Sequence, residues 1–180
     1  MSTWHIDPSH ATVAFAVKHL MISTVRGRFA DFSATLDLDD RNPARSKLNA
    51  SLDVASIDTR SEQRDTHLRT ADFFDVTAHP KITFASTRVQ GDTAGEFRVF
   101  GDLTIRGVRR EVVLNATFDG NAKDPWGNER KAFSAKTSIN REDFGLVWNQ
   151  ALEAGGLLVG TDIKIEIEAE FVQAAAAIAA

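Results

Sequence analysis

The segment from Ile163 to Phe171 alternates apolar residues with charged ones without a break. A period of two residues is that of a β-strand, whose successive side chains point to opposite faces of a sheet. The odd-numbered side chains of this segment therefore face an apolar interior, and the even-numbered ones face water. The same pattern recurs about eight times along the chain, which predicts a sheet closed on itself around an apolar inside.

The strand candidates are joined mostly by short polar loops. Phe29 and Phe32 are out of phase with each other, so we expect a bulge or a bend near residues 30 and 31. Eight main strands joined in this way are typical of an antiparallel barrel, with a β-sandwich as the alternative. The predicted strands cover residues 3–6, which Asp7-Pro8 should end, and residues 12–19, 27–38, 47–57, 81–89, 96–105, 109–118, 130–140 and 158–172.

A single segment has helical rather than strand-like spacing. Ser61 is a suitable N-cap for an α-helix over residues 61–71, in which Leu68 would face inward. The prediction is therefore an all-β fold, an eight-stranded antiparallel β-barrel with one short α-helix between strands.

Composition excludes several classes of function. The chain has 180 residues, a length typical of one domain, and a formal net charge of -4, which argues against nucleic-acid binding. It has no cysteine, so disulfides, thiolate metal sites and cysteine nucleophiles are absent. No apolar run is long enough to span a membrane, and the start of the sequence lacks the pattern of a secretory signal. We therefore expect a cytoplasmic protein, or a periplasmic one if the chain is a processed form.

The sequence lacks the patterns of common catalytic and metal sites. It contains neither G-x-S-x-G nor H-E-x-x-H, and its five histidines show no H-x-H or H-x-x-x-H spacing. The adjacent carboxylates Asp39 and Asp40 lie in a polar turn without apolar shielding. We therefore predict a protein that is not an enzyme and that has no metal and no cofactor.

The inward face of the strands gives the candidate binding residues. Small residues on this face would leave space for a ligand, although a barrel packed with alternating large and small residues also needs them. His19 and His67 are placed near a barrel mouth, where they could hydrogen-bond to a head group or only satisfy backbone groups of the loops. Arg141 could recognise a phosphate or hold neighbouring loops by pairing with carboxylates. The small residues are Ala34, Ala50, Gly101, Ala116 and Ala135. The predicted lining residues are Phe15, Val17, Phe32, Leu36, Leu52, Phe84, Val99, Leu114, Phe133, Ile165 and Ile167.

Eight ordered segments resemble the YceI-like family of lipocalin-type, polyisoprenoid-binding bacterial proteins. Each segment alone is a weak signal, but the ordered set is specific and runs through nearly the whole chain. The segments are W-H-I-D-P-S-H at 4–10, F-A-V-K-H at 15–19, V-R-G-R-F at 25–29, S-I-D-T at 56–59, D-T-H-L-R-T-A-D-F-F-D at 65–75, H-P-K-I-T-F-A-S-T at 79–87, G-D-L-T-I-R-G-V at 101–108 and I-N-R-E-D-F-G at 139–145.

The resemblance implies a lipocalin-like barrel over residues 3–172. The end of the chain is apolar and unpatterned, which predicts a disordered tail over residues 173–180. The resemblance also implies a long apolar tunnel that binds an isoprenoid lipid, either a polyprenyl phosphate or an isoprenoid quinone, for storage or transport without catalysis. Transient membrane contact and a homodimer are left open. The alternatives are sequestration of small hydrophobic compounds in a stress response, or a filled barrel or sandwich that serves as an interaction module.

Overall fold

The computed structural model describes residues 1–174, which form ten β-strands, one α-helix and three short 3-10 turns. The 3-10 turns are Pro43–Arg45, Val54–Ser56 and Arg141–Phe144. The strands and the helix are β1 (Ser2–His19), β2 (Ser23–Phe29), β3 (Phe32–Leu38), β4 (Lys47–Asp53), β5 (Ile57–Asp58), α1 (Glu62–Arg69), β6 (Lys81–Gly91), β7 (Glu96–Ile105), β8 (Val108–Lys123), β9 (Glu129–Asn140) and β10 (Asp162–Gln173).

The sheet closes on itself because its last strand pairs with its first. The antiparallel order is β10-β9-β8-β7-β6-β4-β3-β1, and β10 also pairs with β1. β3 pairs with the first part of β1 and β2 with its second part, while β5 extends β4 beside β2. The ring therefore has eight positions around its circumference, which confirms the predicted eight-stranded barrel and leaves no β-sandwich.

The first strand is longer than the sequence suggested. β1 runs through Asp7 and Pro8 without a stop, so the prediction that this pair ends a short strand is wrong. Its register against β10 shifts between Ile6, which pairs with Phe171, and Ala11. A proline fits such an irregularity because no ladder amide is needed there.

The predicted bend at residues 30 and 31 is confirmed, but it divides the single strand expected over residues 27–38, since β2 ends at Phe29 and β3 begins at Phe32. The two intervening amides are not left without partners. The Ala30 amide donates to the Ser56 carbonyl, and the Asp31 amide donates to the Ser56 hydroxyl. The bend is thus fixed by the 3-10 turn that follows β4.

The helix lies where the sequence placed it, and it covers one end of the barrel. Ser61 is its N-cap, and the Ser61 hydroxyl accepts a hydrogen bond from the Arg64 amide. Asp65 is buried and accepts hydrogen bonds from the amide and the hydroxyl of Thr59, which ties the helix to the preceding strand. Leu68 faces the barrel interior, as predicted.

The last strand extends beyond the predicted domain boundary. Gln173 belongs to β10, and the Ala174 amide donates to the Thr3 carbonyl at 2.8 Å, so these two residues of the predicted tail continue the barrel. The rest of that tail, residues 175–180, lies outside the described residues. No helix within residues 1–174 has the length and apolarity required to cross a membrane.

Candidate ligand-binding site

A cavity of about 500 Å³ extends along the inside of the barrel and is lined almost entirely by apolar side chains. At the α1 end it is closed by buried residues, including Phe73, Ile139 and Leu146. At the opposite end its lining residues include Asp40 and Lys47, which are exposed to solvent. We call this second end, where residues 40, 43, 46, 47, 93 and 94 line the cavity, the mouth. The site is therefore a blind bore with one polar opening.

Exposure along the strands shows that the bore is hollow. On β10 the inward-facing Ile163, Ile165 and Ile167 are half-buried, although each lies inside a continuous sheet. The exposed part of each side chain therefore faces the bore. On β7 and β8, Val99 and Leu114 also line the bore but are buried, so neighbouring side chains cover them there.

Twelve of the fourteen predicted site residues line this bore. Eleven of them come from eight of the ten strands, where alternation in sequence turns them inward, and Arg141 lies in the turn after β9. The twelve are Phe15, Val17, Phe32, Leu36, Leu52, Phe84, Val99, Leu114, Phe133, Arg141, Ile165 and Ile167. Contact with a ligand stays a prediction for each of them.

The two predicted histidines do not line the bore. The His67 ring packs edge-on against Phe73 and Trp148, with centroid distances of 5.1 and 4.8 Å, and its Nε2 lies 2.8 Å from Asp72. His67 therefore stands behind the wall that Phe73 forms. His19 lies at the end of β1, where it forms an isolated bridge with Val159.

Arg141 is a structural clamp at the closed end of the bore. Its side chain is buried and donates hydrogen bonds to the carbonyls of residues 146, 148, 159 and 160. It thus holds the segment between β9 and β10, through backbone carbonyls rather than the carboxylates expected. Burial lowers the pKa of the Arg141 guanidinium, and nearby Glu142 opposes that change. Four donated hydrogen bonds fix its orientation, so it belongs to the floor of the bore.

The small inward-facing residues differ in what they provide. Ala34, Ala50, Ala116 and Ala135 line the bore, as the sequence suggested. Gly101 does not: a Cβ at this position would lie 2.4 Å from Phe84 Cζ, so the Phe84 ring already occupies that space. This glycine permits a close ring-to-backbone contact and adds nothing to the cavity.

The sequence analysis missed Lys131, which also lines the bore. Its position on β9 could have been found by counting, since Lys131 is two residues before the inward-facing Phe133 and period two places both on one face. Among the described lining residues, the charged ones are Asp40, Lys47, Lys131 and Arg141.

A cluster of charges outside the bore has the spacing of a metal site. The ligand atoms of Asp7, His10 and Glu170 lie within 4.8 Å of one another. The Arg130 guanidinium contacts both Asp7 and Glu170 and also pairs with Asp124 at 2.9 Å, so a cation already balances these carboxylates. Hydrogen bonds from Ser9, Arg130 and His10 lower the pKa of Asp7, and the carboxylates raise that of Arg130. The cluster is therefore an ion-pair network that joins β1, β9 and β10.

The geometry thus suits one elongated apolar guest with a polar end at the mouth. Comparison with known proteins identifies the family to which this barrel belongs. The sequence matches the model of the YceI-like domain over residues 4–171. A UPF0312 protein of Staphylococcus epidermidis is 39% identical over 172 residues, which are 95% of this chain and 98% of the relative. A UPF0312 protein of Staphylococcus aureus is 38% identical over the same shares of the two chains.

Solved structures share the fold. The crystal structure of a Campylobacter jejuni YCEI protein has a TM-score of 0.75 and 34% identity, covering 88% of this chain and 90% of that chain. Burkholderia cenocepacia BcnA has a TM-score of 0.80 at 22% identity over 92% and 98% of the two chains. A polyisoprenoid binding domain from Saccharophagus degradans has a TM-score of 0.71 at 14% identity over 97% and 100%. From the family match and the identities of these relatives, the chain belongs to the YceI-like family.

Proposed function

We propose that this protein binds one long isoprenoid lipid in the bore, for storage or transport, without catalysing a reaction on it. The observation that carries the proposal is the half-buried state of inward-facing isoleucines in the middle of β10, because it means that the bore is empty and apolar. A cavity of about 500 Å³ lies within the range of small-molecule sites, roughly 300–1,000 Å³.

The length of the bore favours a chain-like guest over a compact one. Lys131 at one end of β9 and Ile139 near the other both line it, and they are separated by about 26 Å along a strand. A strand tilt of about 40° reduces this distance to about 20 Å along the barrel axis. An extended covalent chain advances about 1.2 Å per backbone bond, so the bore accommodates at least about four isoprene units.

The energetics favour a carrier that can release its ligand. Each buried methylene contributes about 0.8 kcal/mol relative to water, so a tail of tens of carbons would exceed the observed affinity ceiling if water were its alternative. The real alternative is a bilayer, where the tail is already out of water. Ordering a flexible tail in a bore also costs conformational entropy. Net preference over a membrane is therefore small and depends on shape and on the head group.

The name of one structural neighbour supports the ligand class. The Saccharophagus degradans domain is described as polyisoprenoid binding, and its fold resembles that of this chain although only 14% of residues are identical. The support from this neighbour lies in the shared barrel, while the choice of an isoprenoid over other chain-like lipids belongs to the proposal.

To exchange lipid with a membrane, the protein needs a surface that contacts the membrane near the mouth. In this proposal, Trp126 forms that contact. Trp126 is 83% exposed in the turn that joins β8 and β9, at the same end of the barrel as the mouth. The turn is held by Asp124, which accepts hydrogen bonds from the Trp126 and Asn128 amides. Tryptophan is enriched at membrane–water interfaces because its ring is amphipathic.

Lipid extraction tests the proposal directly. Purified protein is incubated with bacterial membrane lipid, re-isolated and extracted with organic solvent, and the extract is analysed by mass spectrometry. We expect an isoprenoid lipid in an amount of about one molecule per chain. Ile165→Asp should abolish retention, because it places a charge in the apolar bore.

The matched control for this experiment is Lys164→Asp, which introduces the same residue at the adjacent, exposed position of β10. This variant should retain the lipid. Equal retention by Ile165→Asp and the wild type, or extracts without isoprenoid, would reject the proposal; retention of other small hydrophobic compounds would favour the sequestration alternative.

A further inference from the structure

Lys131 is a charged residue on a face of β9 that is otherwise suited to an apolar bore. It shares this face with Phe133 and Ala135, and its side chain is 22% exposed. Its Nζ lies 5.4 Å from the ring centroid of Trp4 and 5.9 Å from that of Phe118. Aromatic rings hold the aliphatic stem and attract the ammonium group, so the charge is kept at the mouth and does not reach bulk water freely.

The partner of Lys131 comes from another part of the barrel. Lys131 Nζ lies 3.2 Å from Asp40 Oδ1, in the loop between β3 and β4. Asp40 follows the end of β3, which is three positions from β9 around the ring of eight, with β10 and β1 between them. The ion pair therefore lies at the mouth, and it ties the loop over residues 39–46 to β9.

This ion pair is the polar contact of the bore that a ligand can replace. Asp40 is 66% exposed, and an ion pair with such a partner is weak because water solvates the carboxylate nearly as well. Arg141, at the closed end, is committed to backbone carbonyls. Lys47 is a second cation on the rim, so the mouth carries two lysines and one aspartate.

We propose that Lys131 selects the head group of the ligand, that this head group is an anionic oxygen group such as a phosphate, and that Asp40 occupies its position in the ligand-free protein. The inference rests on the proposed isoprenoid function and narrows it to charged rather than neutral isoprenoids. When the tail fills the bore, the head group lies at the mouth, where it forms a charge-assisted hydrogen bond with Lys131 Nζ. The displaced Asp40 returns to water and releases the loop that it held.

Paired ligands that differ only in the head group test this inference. Dissociation constants for geranylgeranyl monophosphate and for geranylgeraniol are measured by tryptophan fluorescence titration, in which Trp4 beside Lys131 is a local reporter. The wild type should prefer the phosphate. Lys131→Gln should weaken phosphate binding roughly tenfold, as expected for the loss of one charge-assisted hydrogen bond, and leave alcohol binding unchanged. Asp40→Asn should strengthen phosphate binding, since it removes the competing carboxylate.

The control is Lys136→Gln, which makes the same substitution on the outer face of β9, where Lys136 is 74% exposed and pairs with Glu166 at 3.8 Å. It should alter neither affinity. Unchanged alcohol binding shows that each variant is folded. A wild type that binds both ligands equally, or a Lys131→Gln variant that keeps the preference for phosphate, would overturn the inference and leave the proposed function standing. A wild type that binds neither ligand would refute both.

Discussion

Truncating an inward-facing isoleucine measures whether the bore is hollow. Ile165 lines the bore and is half-buried, whereas Ile57, which also borders the bore, is only 1% exposed because it is packed among buried core residues. Ile→Ala removes the same three carbons at both positions. The difference between the two changes in free energy of unfolding therefore reports only what surrounds each side chain.

The expected magnitudes follow from burial. Ile57→Ala loses about 2.4 kcal/mol of transfer free energy, at about 0.8 kcal/mol per carbon. It also leaves a new cavity, so the total cost is about 3–4 kcal/mol. Ile165→Ala removes carbons that are already partly exposed and only enlarges an existing space, so we expect a cost of about 1–2 kcal/mol. The two variants should differ by about 2 kcal/mol.

Equilibrium urea denaturation of protein freed of lipid provides the measurement. Lipid must be removed because a ligand bound to the folded state stabilises it and would add its own contacts to the cost at Ile165. Ile167→Ala, on the same strand and facing the same space, should behave like Ile165→Ala. If all three variants lose the same free energy, the bore is filled by side chains in solution and the reasoning is refuted.

Three further predictions concern packing and charge. Gly101→Ala should lower the free energy of unfolding by about 1–3 kcal/mol in urea denaturation, because its Cβ would lie 2.4 Å from a phenylalanine ring carbon. Arg141→Met should cost about 3 kcal/mol or more in the same measurement, since several carbonyls lose their donor; wild-type stability would contradict its role as a clamp. Hydrogen bonds from Asn128 and Arg130 lower the pKa of Asp124 from 3.8 to about 2. The stability they provide is therefore present above pH 3.8 and lost as the pH falls towards about 2, so thermal melts of Arg130→Met should show a deficit near neutral pH that shrinks over this window. A deficit independent of pH would argue against the ion-pair network.

Much of the site could be predicted from local pattern. Eleven of the twelve predicted residues that line the bore lie on strands, where side-chain direction follows from position alone. The predictions for the two histidines are not met, and the reason for His67 is its position on a helix. The direction of this side chain depends on how Phe73 and Trp148 pack around it, which no local period describes.

For Lys131, the sequence predicts the direction of the side chain but not its partner. Its inward direction was present in the alternation of β9, but its partner Asp40 lies 91 residues away in sequence. Only barrel closure brings these two residues together at the mouth. In the sequence alone, a charged residue at an inward position only interrupts the apolar pattern. Its role becomes clear when the loop that holds its partner is known.

The sequence by itself determined the strands, their inward faces and the capped helix, because a period of two and an N-cap are properties of neighbouring residues. The tertiary structure decided whether the inside is filled, since the same alternation fits a packed barrel and a hollow one. That outcome depends on whether side chains from facing walls meet. The Phe84 ring fills the space beside Gly101, while Ile165 faces an empty bore.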